Sequence, residues 1–372
     1  MGIYEDLGIR RVINGNATLT ALGGSIMPSP VVTAMAEAAE SFVDIFELQD
    51  RVSEEIACLT GNEAAYVSCG AASALTLATA AAITGLDPQK RARLPRLEPD
   101  LKNEVIVHRH GRVKYEFAVQ QVGVTLVEIG GDEGACPDEL EAAINERTAA
   151  IIYFAQPARE SCWVPYKTAV EIAQRHDVPL IVDAAAQLPP KENLWRFTVD
   201  MGVDLAMFSG GKGLCGPQSS GLTVGRRDLI EAMAFNGPPH PFIGRGMKVG
   251  KEEMVGLLAA VKWFLGLDHE VLMRGYEDQV GYFREQLSDF DGVTVRRSFP
   301  SEAGQPMPRS EILLDASRWS LSRDELLEAL AQGEPPIRLA AAGATGIYVN
   351  PQTLKPGEER IVARKLKEIL TR

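Results

Sequence analysis

The sequence predicts an α/β protein: a large domain with a mostly parallel sheet covered by helices, and a smaller α+β domain. Three observations carry this expectation. Between residues 64 and 225, short apolar runs alternate with helical patterns, which is how parallel strands covered on both faces read. Polar residues with chemical capacity close those runs: His108 and His110, Gln156, Asp183 and Lys212. In such sheets ligands sit beyond the carboxyl ends of the strands. After Leu267 the alternation loosens and the strands shorten. The division expected is therefore 28–267 for the large domain, with 1–27 and 268–372 forming the small one.

In order, residues 1–27 form an extended lead-in that ends at the Leu22-Gly23-Gly24 turn. After Pro28-Ser29-Pro30 a helical pattern runs from Val31 to Leu59, with a break near Ser41 and a stop at Gly61-Asn62. Ala64–Ser68 reads as a buried strand, leading through Cys69-Gly70-Ala71-Ala72-Ser73 into an Ala/Thr/Leu-rich helix that ends near Gly85. A strand, a small-residue turn and a helix start offer bare N–H groups and a positive helix end to a phosphate. Ordinary helix-on-strand packing with Gly and Ala answers the pattern equally well.

A loop rich in Pro, Lys and Arg (86–103) follows, and its Lys90–Arg96 patch reads as solvated. Strands are then expected at 104–107, 124–128, 149–154 and 179–182, and helices at 115–121, 137–145 and 166–176. A strand over 204–208 runs into Ser209-Gly210-Gly211-Lys212-Gly213, and a second apolar run spans 221–224. Helices follow to Phe235 and from about 250 to 267. Beyond it come helices at 269–287, 323–331 and from 357, and strands at 293–297, 311–315 and 347–349.

Composition excludes several classes. The 372 residues carry a formal charge of −12, whereas binding nucleic acid requires clustered Lys and Arg. No run is long and apolar enough to span a bilayer, and no signal pattern opens the chain, so no membrane partner is expected. Five cysteines without a Cys-x-x-Cys pair suit a reducing, cytoplasmic setting. His108-x-His110 lacks companion ligands, so no metal is expected.

Two residues stand out. Glycines around Lys212 let the backbone turn tightly and leave its amine unobstructed, as a lysine joined to an aldehyde cofactor requires. Taken alone, an exposed loop lysine reads the same. Asp183 ends the apolar run Leu180-Ile181-Val182, where a carboxylate is costly without a cationic partner. A protonated pyridine nitrogen would be one, and Ala185 is small enough for a ring to lie on it; a helix-capping aspartate is the alternative. Arg245, between two glycines, could hold a phosphate or carboxylate, or pair with surface acids.

Taken together and in order, these pieces resemble a known family. Val12-Ile13-Asn14 with Leu22-Gly23, Gly70–Ser73, Asp183-Ala184-Ala185, Ser209–Lys212 with Gly216-Pro217-Gln218, and Arg245 with Lys248–Lys251 span nearly the whole chain. They are similar to pyridoxal-phosphate (PLP) enzymes of the aspartate-aminotransferase fold, specifically the selenocysteine synthase branch and its shorter relatives. The resemblance implies a seven-stranded-type sheet in the large domain. It implies that Lys212 is the Schiff-base lysine and Asp183 the partner of the ring nitrogen. Gly70, Ala71, Ala72 and Ser73, with Ser209, would hold the phosphate, and Ala185 would lie beneath the ring. His108 or His110 would stack over its other face. Asn14, Arg245 and Lys248 are the implied substrate-binding residues.

The departures narrow the activity. Selenocysteine synthase carries an added RNA-binding domain and an arginine where this chain has Gly24-Ser25. The chain looks most like the short ammonia-lyases that act on amino-sugar acids such as D-glucosaminate 6-phosphate. The activity implied is elimination from a β-hydroxy amino acid or amino-sugar acid to a 2-keto acid and ammonia. Racemisation or epimerisation, transamination and, less so, a selenocysteine synthase-type transfer are the alternatives. A homodimer or higher homo-oligomer is implied, with the loop from Asn236 to Arg245 as the contribution to a neighbour.

Overall fold

The computed structural model describes residues 2–371. The chain divides into two units, Met27–Gly266 and a second made of Met1–Ile26 with Leu267–Arg372. The second unit begins with α1 (Ile3–Asp6) and β1 (Ile13–Asn14). The larger unit then runs α2 (Ser29–Ala39), α3 (Ile45–Thr60), β2 (Ala64–Ser68), α4 (Ala71–Thr84), α5 (Pro88–Arg93), β3 (Glu104–His108), α6 (Phe117–Gln120), β4 (Thr125–Ile129) and α7 (Pro137–Ala143). It continues with β5 (Thr148–Phe154), α8 (Tyr166–Arg175), β6 (Leu180–Asp183), α9 (Asn193–Trp195), β7 (Leu205–Ser209), β8 (Gly221–Gly225), α10 (Arg227–Asn236) and α11 (Lys251–Leu265). The smaller unit resumes with α12 (His269–Leu287), β9 (Val293–Ser298), β10 (Arg309–Leu314), α13 (Arg323–Gln332), β11 (Ile337–Arg338), β12 (Ala340–Ala342), β13 (Gly346–Val349) and α14 (Glu358–Leu370).

The larger unit holds a seven-stranded sheet in the order β2-β8-β7-β6-β5-β3-β4. Only β8 runs against its neighbours β2 and β7; the β7-β6-β5-β3-β4 pairs are all parallel. β5 is buried at every position, the signature of a central strand covered on both faces. β4 closes one edge and is mostly accessible, with Glu128 held by Arg109 and Arg112. α4 is buried almost all round because it is packed between the sheet and α10. A helix enclosed on all sides needs small residues, which explains its Ala- and Thr-rich sequence.

Local signals account for the helix ends. Asp44 caps α3 by accepting from Phe46 N and Glu47 N, which explains the break between α2 and α3, and Gly61 ends α3 in the left-handed region. The loop expected over 86–103 instead contains α5, capped by Asp87. Its basic patch is not simply solvated: Arg93 pairs with Glu98 and Asp100, and Arg91 is packed between aromatic rings. The helix expected over 115–121 is a 3₁₀ turn (Lys114–Glu116) followed by α6.

In the smaller unit an antiparallel sheet has the order β12-β13-β10-β9. β1 pairs in parallel with β11, and Ile13 is buried with Ile312, Leu326, Ile337 and Ile347 in this unit's own core. That burial is what ties the N-terminal segment to the C-terminal one. Among the described residues no helix is long and apolar enough to cross a membrane.

Candidate active site

The site follows from the direction of the strands. β2, β5, β6 and β7 all end at the same edge of the sheet, where antiparallel β8 begins. That edge gathers Ser68, Asp183, Ser209 and Gly221 into neighbouring positions. Ser209 lies opposite Gly221, and Gly221 lies opposite Ser68. Asp183 is beside Met207 of β7 and Phe154 of β5, and Ser209 N donates to Ala185 O at 3.3 Å.

Asp183 lies deep in the protein yet keeps part of its surface accessible. Burial pushes its carboxyl pKa up, opposed by the Ala185 N–H bonded to Oδ1 at 3.0 Å and by the charge of Lys212. Lys212 sits in the turn that leaves β7, and the packing of its neighbours explains the glycines. A Cβ on Gly210 would fall 2.0 Å from Ser220 Oγ, one on Gly211 2.6 Å from Gln218 Oε1, and one on Gly213 2.2 Å from Leu188 O. Gly216 N donates to Gly210 O at 2.8 Å and closes the turn. Lys212 is thus displayed by a tightly held loop, partly buried beside the end of β6.

The turn before α4 has a matching construction. Gly70 has φ 144°, a conformation costly to any other residue, and caps α4 without a side-chain bond. The Ser73 hydroxyl donates to Gly70 O at 2.7 Å and that of Ser68 to the same oxygen at 3.0 Å, so both secure the turn. The first-turn N–H groups of Ala71 and Ala72 receive no capping side chain, and both residues keep accessible surface. Gly221, which sequence reasoning missed, makes the arrangement possible: a Cβ there would lie 2.5 Å from Gly70 C. The only hint in the sequence was a glycine opening an apolar run.

The two histidines part company. Side chains alternate along a strand. Ile181, two residues before Asp183, packs with Val107, Ile152 and α4 on one face of the sheet. His108, one residue beyond Val107, turns to the opposite face, where its ring lies 4.5 Å from that of Tyr153 and 5.9 Å from that of Trp163. Its Nε2 accepts from Val164 N at 3.2 Å, and burial lowers its pKa to about 4. The expectation that His108 could stack on a ring bound at Asp183 is corrected by this parity. His110, in the turn after β3, bonds through Nε2 to Gly131 O at 2.9 Å and remains partly accessible.

The expected substrate residues are divided between the two units. Arg245 and Lys248 are exposed on the segment between α10 and α11. Asn14 lies in the smaller unit, where its amide is used locally: Nδ2 donates to Ala17 O at 2.9 Å and Oδ1 accepts from Asn16 N at 3.0 Å.

The family model described as L-seryl-tRNA selenium transferase (SelA) matches residues 12–273. The chain belongs to this family. It is 32% identical to D-glucosaminate-6-phosphate ammonia lyase of Salmonella typhimurium, covering 99% of this chain and 97% of that protein. It is 31% identical to 5'-C-glycyluridine monooxygenase-decarboxylase of a Streptomyces species, covering 99% and 92%. An L-seryl-tRNA(Sec) selenium transferase of Alkaliphilus oremlandii is 24% identical over 99% of this chain and 83% of that one. The solved structure of D-glucosaminate-6-phosphate ammonia-lyase matches all of this SelA-family chain and 98% of its own, at a TM-score of 0.86 and 31% identity. The fold extends to serine palmitoyltransferase of S. paucimobilis, at a TM-score of 0.59 and 12% identity. Together these matches bear out the aspartate-aminotransferase-type fold expected from the sequence, and the chain is an enzyme.

Proposed function

We propose that this SelA-family enzyme binds PLP at the sheet edge and removes ammonia from a β-hydroxy amino acid or amino-sugar acid, leaving a 2-keto acid. The observation that carries the reading is a buried Asp183 carboxyl whose pKa burial raises, facing the charge of Lys212 at one strand edge. The likeness to an ammonia lyase over the full chain supports the reaction class.

The residues present suit the cofactor. A carboxyl pushed up by burial gains from a cation, and a protonated pyridine nitrogen is such a partner. The uncapped start of α4, with a turn that only glycine adopts comfortably, suits a phosphate. In this reading Lys212 holds the cofactor, Asp183 the ring-nitrogen proton, and the N–H groups of Gly70, Ala71, Ala72 and Ser73 the phosphate beside Ser209. Ala185 would lie under the ring, and His110 is the remaining stacking candidate.

When bound, PLP supplies an electron sink for the amino-bearing carbon of the substrate. Lys212 takes the proton from that carbon as general base. Asp183 keeps the ring nitrogen protonated. Arg245 and Lys248 receive the substrate's carboxylate or phosphate. The net change releases ammonia and a 2-keto acid, with water leaving and returning.

A second reading, decarboxylation at the same carbon, is favoured by the similarity to the monooxygenase-decarboxylase. Incubation with D-glucosaminate 6-phosphate and with free β-hydroxy amino acids tests both. The first reading predicts ammonia and keto acid in equal amounts; carbon dioxide in their place would establish the second. The same proposal includes a cytoplasmic location, consistent with five unbridged cysteines, and a homodimer or higher homo-oligomer to which the segment from Asn236 to Arg245 contributes. Sedimentation of an active monomer would refute the last point.

A further inference from the structure

The stretch of chain that leads into Arg245 and Lys248 is held at two points by one side chain. Arg91, on α5, has its guanidinium carbon 3.6 Å from the ring centroid of Phe235 and 3.9 Å from that of Phe242. Its Nη1 donates to Phe235 O at 2.6 Å. Phe235 belongs to the last turn of α10, and Phe242 lies just ahead of the 3₁₀ turn Ile243–Gly246. Among the described residues no carboxylate is in ion-pair contact with Arg91, and burial lowers its pKa. A cation in that setting is retained by the two aromatic faces.

On either side of Phe242 the segment is anchored at further points within the larger unit. Asn236 is buried and its Nδ2 donates to Thr84 Oγ1 at 2.8 Å and to Ala232 O at 2.9 Å. A Cβ on Gly237 would lie 2.3 Å from the Tyr66 hydroxyl, and one on Gly244 would lie 2.4 Å from Asn236 O and 2.9 Å from Leu77 Cδ2. Leu77 is six residues into α4, about 9 Å along the axis from the first turn at a rise of about 1.5 Å per residue. Beyond these anchors Arg245 and Lys248 are exposed cations on a strongly acidic chain.

We propose that Arg91 is a positioning residue: held between Phe235 and Phe242, it fixes the arm that presents Arg245 and Lys248 to an anionic group of the substrate. The inference rests on the role proposed for Arg245 and Lys248. It adds a residue from the basic patch that acts through Phe235 and Phe242. Because the clamp acts on placement rather than on the reacting atoms, its loss should weaken binding and spare turnover.

The test compares Arg91→Ala, Arg91→Lys and Arg245→Ala/Lys248→Ala in the PLP-loaded enzyme, with D-glucosaminate 6-phosphate as substrate and amide hydrogen exchange as a second readout. Arg91→Ala should raise KM about 10-fold with kcat changed less than about threefold, and should speed exchange only across residues 237–250. Arg91→Lys should restore part of KM, since an ammonium also binds an aromatic face. If Arg245→Ala/Lys248→Ala raises KM but Arg91→Ala changes neither KM nor exchange, the clamp is refuted and the anion site stands. If Arg91→Ala loosens the arm while Arg245→Ala/Lys248→Ala leaves KM unchanged, the anion site fails and the positioning role with it. Faster exchange throughout the protein, with equal losses in kcat and kcat/KM, would reduce Arg91 to a structural residue and overturn the proposal.

Discussion

Gly221 carries the turn of Gly70 directly on its Cα: a Cβ there would stand 2.5 Å from Gly70 C and 2.8 Å from Ala71 N. Gly221→Ala therefore has to push the start of α4 off the sheet. The expected result is cofactor affinity reduced about 10-fold or more, equivalent to about 1.4 kcal/mol. Equilibrium dialysis against PLP measures it, and unchanged affinity would mean that the turn does not hold the phosphate.

Asp183 is costly to the protein before the cofactor binds. Its raised pKa means that the folded chain holds this proton more tightly than the unfolded chain does. That contribution is present below the unfolded value of about 3.8 and is lost as pH rises through the folded value. Asp183→Asn should therefore melt higher than the parent at neutral pH without cofactor, while kcat falls about 10²- to 10⁴-fold, the range of a proton-holding group. A variant that is less stable and still active would contradict both halves.

His108 offers the complementary case. Its pKa is lowered from 6.5 to about 4 by burial, so the unfolded chain takes up the proton first as pH falls. The stability it supplies is present above pH 6.5 and lost towards about pH 4. His108→Leu should remove that slope, and should cost about 1–3 kcal/mol by leaving Val164 N–H without its acceptor. Cofactor binding should survive. Loss of PLP affinity in a folded variant would restore His108 to the site.

Much of the scaffold could be read from local pattern. The buried run of β5, the Gly61 stop, the strand-end position of Asp183 and the glycine-flanked turn of Lys212 each depend on residues close in sequence. What escaped depended on register and distant pairing. A single step along β3 decides which face His108 occupies, and the sequence of the strand is apolar on both sides of that step. Gly221 acquires its meaning only because β8 inserts antiparallel between β2 and β7. Arg91 looked solvated because Phe235 and Phe242, the rings that enclose it, lie far along the chain.

The joint action of Lys212 and Asp183 on one cofactor is tested most directly by trapping. The protein is incubated with PLP, reduced with borohydride, digested and mapped by mass. The label should reside on Lys212, accompanied by a violet absorbance band that Lys212→Ala abolishes and Asp183→Asn alters. A label on other lysines, or an identical band in Lys212→Ala, would contradict the account.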